Sequence, residues 1–173
     1  RSLRILRCCL SALKEKILEF QASRTRGQAD LISDGAKRSA QEAEGILDGR
    51  HFLVAEDNVI NAEILSELLG MEGADCKIAE NGQIVLEWFR QAPPDTWDAI
   101  LMDVQMPVMN GYEATRAIRA LPREDAVLIP IIAITANAFA EDVKDALAAG
   151  MNAHVAKPVD MELLKRTLAR FLK

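Results

Sequence analysis

Ile100-Leu101-Met102-Asp103-Val104-Gln105-Met106-Pro107-Val108-Met109-Asn110-Gly111 is the stretch that decides the fold. Trp97-Asp98-Ala99 leads into an apolar run, the run stops on one acid, and Pro107 and Gly111 punctuate the loop that follows. A short apolar run without polar alternation predicts a strand covered on both faces, the kind found in parallel sheets. Asp103 then stands where a buried strand opens into a loop, and open α/β sheets place their ligands at that edge.

Working outward from His51, the same unit repeats. Phe52-Leu53-Val54-Ala55 is an apolar run closed by Glu56-Asp57, and Asn58 can cap a helix with Ile60, Ile64, Leu65, Leu68 and Leu69 on one side. Gly70 and Gly73 end it. Cys76-Lys77-Ile78-Ala79-Glu80 alternates, as a strand at a sheet edge does. Asn81-Gly82 opens a helix with Ile84, Val85, Trp88 and Phe89 inward, stopped by Pro93-Pro94. Beyond the central strand, a helix carries Tyr112, Thr115, Ile118 and Leu121, and 129–135 is another buried strand. A weaker helix over about 140–149, a short strand at 153–157 and a last helix with Leu163, Leu164, Leu168 and Phe171 inward complete the pattern. Five strands alternating with five helices predict an α/β fold, a doubly wound parallel sheet with helices on both faces. Periodicity alone leaves the strand order open; the edge-like second strand fits 2-1-3-4-5.

The 173 residues hold 21 Lys+Arg and 26 Asp+Glu, a net charge of −5, unevenly spread. Residues 1–49 carry nine basic against seven acidic groups, and 50–173 twelve against nineteen. So acidic a domain, with few aromatics, argues against direct nucleic-acid binding. Cys8, Cys9 and Cys76 have no metal-ligand spacing and read as reduced thiols in a cytosolic protein. No apolar run approaches the ~18 residues of a membrane span. The first methionine is Met71, which suggests a piece of a longer polypeptide.

Residues 1–20 place Leu3, Leu6, Leu10, Leu13, Ile17 and Phe20 at steps of three and four. That is a short a/d seam, predicting an amphipathic helix that pairs with another helix or packs on an upstream domain. Such a seam would permit self-association. Residues 21–49 are polar and small, with Leu31-Ile32 and Ile46-Leu47 the only paired aliphatics, and read as a linker. The main domain is expected over 50–173, with its boundary near Asp48-Gly49-Arg50.

Four of the predicted strands end on reactive groups: Glu56-Asp57, Asp103, Thr135 and Lys157. A parallel sheet would bring all of them to one edge. Three acids together are costly unless a cation sits among them. All the donors are hard oxygens with no Cys or His pair nearby, which favours Mg²⁺. Lys157 adds a positive charge and Thr135 a hydroxyl. One carboxylate, so surrounded, can serve as a nucleophile and become an aspartyl phosphate, since phosphoryl transfer needs mostly positioning and charge neutralisation.

At this point the wording itself is informative. Ala55-Glu56-Asp57-Asn58, Asn81-Gly82, the quoted Met102–Gly111 stretch, Ile134-Thr135-Ala136-Asn137-Ala138, Ala149-Gly150-Met151 and Lys157-Pro158-Val159 resemble the receiver domain of two-component response regulators. The resemblance covers 50–173, and Gln105-Met106-Pro107 with Thr135-Ala136-Asn137-Ala138 is most similar to receivers fused to hybrid sensor histidine kinases. It implies strand order 2-1-3-4-5 and a phosphoryl group passing to Asp103 from a phosphohistidine of a histidine kinase or histidine phosphotransfer domain. It implies Mg²⁺ held by Glu56, Asp57, Asp103 and the backbone carbonyl of Gln105. Lys157 would pair with Asp103 or the phosphoryl group, Thr135 would swing toward it, and the Lys157-Pro158 bond would be cis. The face from Ala140 to Leu164 would then move. Such a domain works in the cytoplasm, with membrane anchorage of the parent chain left open.

Three departures stand out. Glu56 replaces a commoner Asp, Asn110 replaces a frequent Asp, and His154 occupies a switch position where Tyr or Phe is usual. Rival readings are a receiver reduced to a protein-binding module, a phosphatase of the haloacid-dehalogenase type and a flavodoxin-like cofactor binder. Gln105 stands where such phosphatases usually carry a second Asp, and Glu56-Asp57 would repel a flavin phosphate. No GxxxxGK[ST] loop is present, so this segment does not bind ATP in that way.

Overall fold

In a computed structural model, residues 45–136 and 140–172 are described. The predicted helix over 1–20 and most of the predicted linker lie outside them. The elements are β1 (His51–Ala55), α1 (Val59–Met71), β2 (Asp75–Ala79), α2 (Gly82–Gln91), β3 (Ala99–Asp103), α3 (Gly111–Arg119), α4 (Glu124–Leu128), β4 (Ile131–Thr135), α5 (Ala140–Ala149), β5 (Ala153–Ala156) and α6 (Met161–Ala169). The strands form one sheet of order β2-β1-β3-β4-β5, and every neighbouring pair is parallel.

Strand side chains alternate between two cores. Leu53, Ala55, Ile100, Met102, Ile131 and Ala133 pack with Val85, Phe89, Ala114 and Ile118 from α2 and α3. Phe52, Val54, Leu101, Ile132, Ile134 and Val155 pack with Leu65, Leu69, Leu164 and Leu168 from α1 and α6. Both faces of the central strands are therefore covered, which is why they read as unbroken apolar runs. Each fully buried large aliphatic contributes about 1.5–3 kcal/mol.

Four of the described helices start where the sequence supplies a side-chain cap. The Asn58 side chain accepts from the backbone amides of Ile60 and Asn61 at 3.0 and 3.2 Å, and Asn81 from Ile84 at 3.0 Å. Asn110 and Glu113 form a reciprocal box of 2.9 and 3.0 Å, and Asp160 caps α6.

Four details depart from the sequence reading. A sixth described helix, α4, precedes β4. Asp125 pairs with Arg123 at 2.6 Å, while Arg123 Nη1 donates to the carbonyls of Phe89, Arg90 and Ala92 at the end of α2. This clasp holds a turn that has little apolar pattern of its own. Ile60 is 56% exposed, because the buried stripe of α1 runs through Ala62, Leu65 and Leu69. On α6 the inward position is Lys165, only 8% exposed, and Leu163 is 43% exposed. Lys165 is buried because its ammonium pairs with Glu162 at 2.7 Å and with Glu72, at the end of α1, at 3.2 Å.

The fourth departure lies in a segment read as linker. Leu47 is fully buried on the α1/α6 side of the sheet. Its turn is closed by Asp48 N to Gly45 O at 3.1 Å and tied to the α1–β2 connection by Gly49 N to Gly73 O at 2.9 Å. Gly45 and Gly49 both adopt positive φ, which allows the chain to bend tightly on either side of Leu47.

Burial alone would push the Lys165 ammonium down, but the hydrogen bonds to Glu162 and Glu72 outweigh it and raise it. A raised lysine stabilises the fold below its unfolded value and loses that contribution as pH climbs through the folded one. Lys165→Met should therefore cost about 1 kcal/mol at neutral pH, discounted for the half-exposed Glu162. Urea denaturation should show the variant and the parent converging only in strongly alkaline buffer.

Candidate phosphoryl-transfer site

β3 ends on Asp103, 5% exposed, beside β1, which hands over to Glu56, 4% exposed. Two buried carboxylates side by side require compensation. Lys157, just beyond β5, supplies it: its Nζ lies 2.6 Å from Glu56 Oε2 and 2.5 Å from Asp103 Oδ2. Burial pushes this ammonium down, yet hydrogen bonds to Asp103 and Glu56 outweigh that and raise it. Lys157 thus remains charged across neutral pH.

The other oxygens are also held. Asp103 Oδ1 accepts from the backbone amide of Gln105 at 3.1 Å. Glu56 Oε1 accepts from the Asn58 amide at 3.2 Å and from Asn61 Nδ2 at 3.3 Å. Asp57 is exposed beside them, and one oxygen from each of Glu56, Asp57 and Asp103 lies within 4.8 Å of the others. Thr135 is buried at the end of β4, and its carbonyl accepts from Lys157 N at 2.7 Å. The Lys157-Pro158 bond is cis. His154 is half-buried on β5, opposite Ala133 of β4.

The loop after Asp103 is shaped by close backbone approaches. A Cβ at Gly111 would overlap the Asp103 carbonyl oxygen, and one at Gly82 would lie 2.7 Å from the Met109 carbonyl oxygen. The Gly82 amide donates to that same oxygen at 3.0 Å, so the start of α2 braces the loop. Val108 sits at φ 69° within it, an unusual conformation for a β-branched residue.

The parallel sheet brings Glu56, Asp57, Asp103, Thr135 and Lys157 to one edge, with Gln105 in the adjoining loop. His154 lies further back on β5, level with Ala133 and two residues before the position paired with Thr135. Two contacts were not anticipated: Lys157 bridging to Glu56 as well as Asp103, and Asn61 against Glu56. The only sequence signal for Asn61 is its place in the first helical turn after Asn58.

A five-stranded parallel sheet of this order, with clustered acids and a lysine at its carboxyl edge, defines a class. The family profile of the response regulator receiver domain matches residues 52–169, and the chain belongs to that family. It is a receiver domain of the two-component phosphorelay type. Family membership replaces the phosphatase and flavodoxin-like alternatives.

Among curated relatives, hybrid signal transduction histidine kinase I of Dictyostelium discoideum is 37% identical over 137 residues, covering 78% of this chain and 8% of that protein. Sensor histidine kinase RcsC of Salmonella typhimurium is 38% identical over 122 residues, covering 70% of this chain and 12% of that protein. The chain thus spans about a tenth of the length of such relatives.

Among solved structures, the receiver domain of sensor histidine kinase PA1611 from Pseudomonas aeruginosa PAO1 superposes with a TM-score of 0.64. It is 38% identical, covers 71% of this chain and 97% of that one, and has a magnesium ion in its active site cleft. The Saccharomyces cerevisiae receiver domain of Ssk1, crystallised with the histidine phosphotransfer protein Ypd1, gives a TM-score of 0.63. There the identity is 29%, with 72% of this chain and 90% of that chain covered. No helix among the described residues is long and apolar enough to cross a membrane.

Proposed function

We propose that Asp103 is the phosphoacceptor of this receiver, and that Glu56, Asp57, Asp103 and the Gln105 backbone carbonyl hold Mg²⁺. The observation that carries this reading is the Asp103 carboxylate, buried at a strand end with two further acids and a lysine around it. The all-oxygen donor set fits a hard divalent cation. When bound, such an ion would neutralise charge on the acids and on phosphoryl oxygens.

The chain's own residues supply the rest. Gln105 N and Lys157 Nζ fix the two Asp103 oxygens, so the carboxylate is oriented before a donor arrives. A carboxylate oxygen of Asp103 attacks phosphorus; the O–P bond forms as the P–N bond of a phosphohistidine breaks, and the histidine departs with the electron pair. The Lys157 ammonium is placed to follow the new charge, and the Thr135 hydroxyl to hydrogen-bond a phosphoryl oxygen. Thr135 leads toward α5, so phosphorylation would bias the face from Ala140 to Leu164, with the His154 imidazole as a second moving group. The donor is a histidine kinase or histidine phosphotransfer domain, and the parent chain is a cytoplasmically facing hybrid histidine kinase. The receiver takes in the Leu47 turn together with residues 50–173.

Incubation with Mg²⁺ and acetyl phosphate, followed by intact mass, tests the site. The chain should gain one phosphoryl group. Asp57→Ala should slow that gain beyond the roughly 10–100-fold loss typical of an outer-shell partner. A gain equally fast in Asp57→Ala, or without Mg²⁺, would overturn the metal assignment.

A further inference from the structure

We propose that Asn61 is a positioning residue for the Glu56 carboxylate, and that it is what makes a glutamate workable at this place in the metal site. The proposal rests on the reading of Glu56 as a metal ligand. Glutamate has one more rotatable bond than aspartate, so its carboxylate must be fixed before it can serve as a ligand. It is also buried, and a buried carboxylate needs its lone pairs filled.

The structure divides the two oxygens. Oε2 faces Lys157 at 2.6 Å. Oε1 is held by two donors from the start of α1, the Asn58 amide at 3.2 Å and Asn61 Nδ2 at 3.3 Å. A carboxylate only accepts, so the amide end of Asn61 that faces it is the NH₂ group. The Asn61 backbone amide donates to the Asn58 side chain at 3.2 Å, which anchors the helical turn that carries its side chain. In a helix, side chains lean toward the N-terminus, which carries the Asn61 amide back over Glu56. The cap residue thus anchors the turn, and the Asn61 amide, with the Asn58 N–H, holds Oε1 of the carboxylate.

An aspartate at position 56 would withdraw the carboxylate by about one C–C bond, ~1.5 Å, and take a 3.3 Å contact out of hydrogen-bond range. Asn61 should therefore matter with glutamate and not with aspartate. Four proteins test this: the parent, Asn61→Ala, Glu56→Asp and the double variant. Calorimetric titration with Mg²⁺ is expected to show about tenfold weaker binding in Asn61→Ala than in the parent. The same substitution in the Glu56→Asp background should change affinity by less than about twofold. In acetyl phosphate reactions the loss should fall on the Mg²⁺ concentration for half-maximal rate, with saturating Mg²⁺ restoring most of the rate.

The side-chain amide of Asn61, observed by ¹⁵N-resolved NMR without metal, gives an independent readout. Its protons should exchange slowly and shift upfield in Glu56→Ala. Unchanged Mg²⁺ affinity in Asn61→Ala, an equal loss in both backgrounds, or an amide indifferent to Glu56 would each overturn the proposal. A parent protein that binds no Mg²⁺ would instead overturn the metal-site reading, and the amide signal would still report whether Asn61 holds Glu56.

Discussion

Asp103→Asn is expected to abolish phosphoryl incorporation, from acetyl phosphate and from a phosphohistidine donor alike, while leaving the fold in place. The substitution is nearly isosteric, and the strand it ends is buried along its whole length. The amide has one acceptor oxygen for two donors that Asp103 holds on separate oxygens; with that oxygen toward Gln105 N the loop should keep its path, and Lys157 Nζ retains Glu56. What disappears is the anionic nucleophile. Removing one of three clustered acids also relieves repulsion, so metal-free stability should hold or rise slightly. Intact mass and thermal melting check both halves. A phosphoryl gain equal to that of the parent would place the acceptor on another residue.

The second large effect is expected at Lys157. Lys157→Met keeps the length and apolar stem of the side chain but removes the cation between Glu56 and Asp103, whose side chains are 3% and 7% exposed. Breaking a buried pair and leaving its anions uncompensated typically costs about 3–5 kcal/mol. Here the lysine is itself one-fifth exposed and water can reach part of the cluster, so about 3 kcal/mol is expected without metal. Mg²⁺ should recover much of that loss, because it binds the folded acids and meets no competing ammonium. Urea denaturation with and without Mg²⁺ separates these terms. The variant should be markedly less stable alone and show the larger stabilisation by metal; equal metal-free stability would mean that the lysine does not hold the acids together.

How far the chain could be read in advance depended on the range of the interactions. β3 and β4 were legible because a strand buried on both faces is apolar at every position. Asp103, Glu56 and Thr135 were legible because a polar group ending such a run is conspicuous. Leu163 reads as inward and Lys165 draws no attention, because spacing on α6 cannot reveal that Glu72, 93 residues away, neutralises a buried ammonium. Helix α4 escaped for the same reason, since Arg123 reaches carbonyls 31 to 34 residues distant. Asn61 looked like an ordinary polar residue in an exposed helical turn. Only the fold places Glu56 beneath it.

The Gly45–Gly49 turn gives the domain a point of mechanical attachment separate from the sheet. Leu47 is seated in the α1/α6 core, and Gly49 is tied to Gly73, before the chain turns into β1. A pull arriving along the backbone from the N-terminal side meets this mooring first. The load passes into the packed face of α1 and α6, and the register of β1, with Glu56 at its far end, is spared.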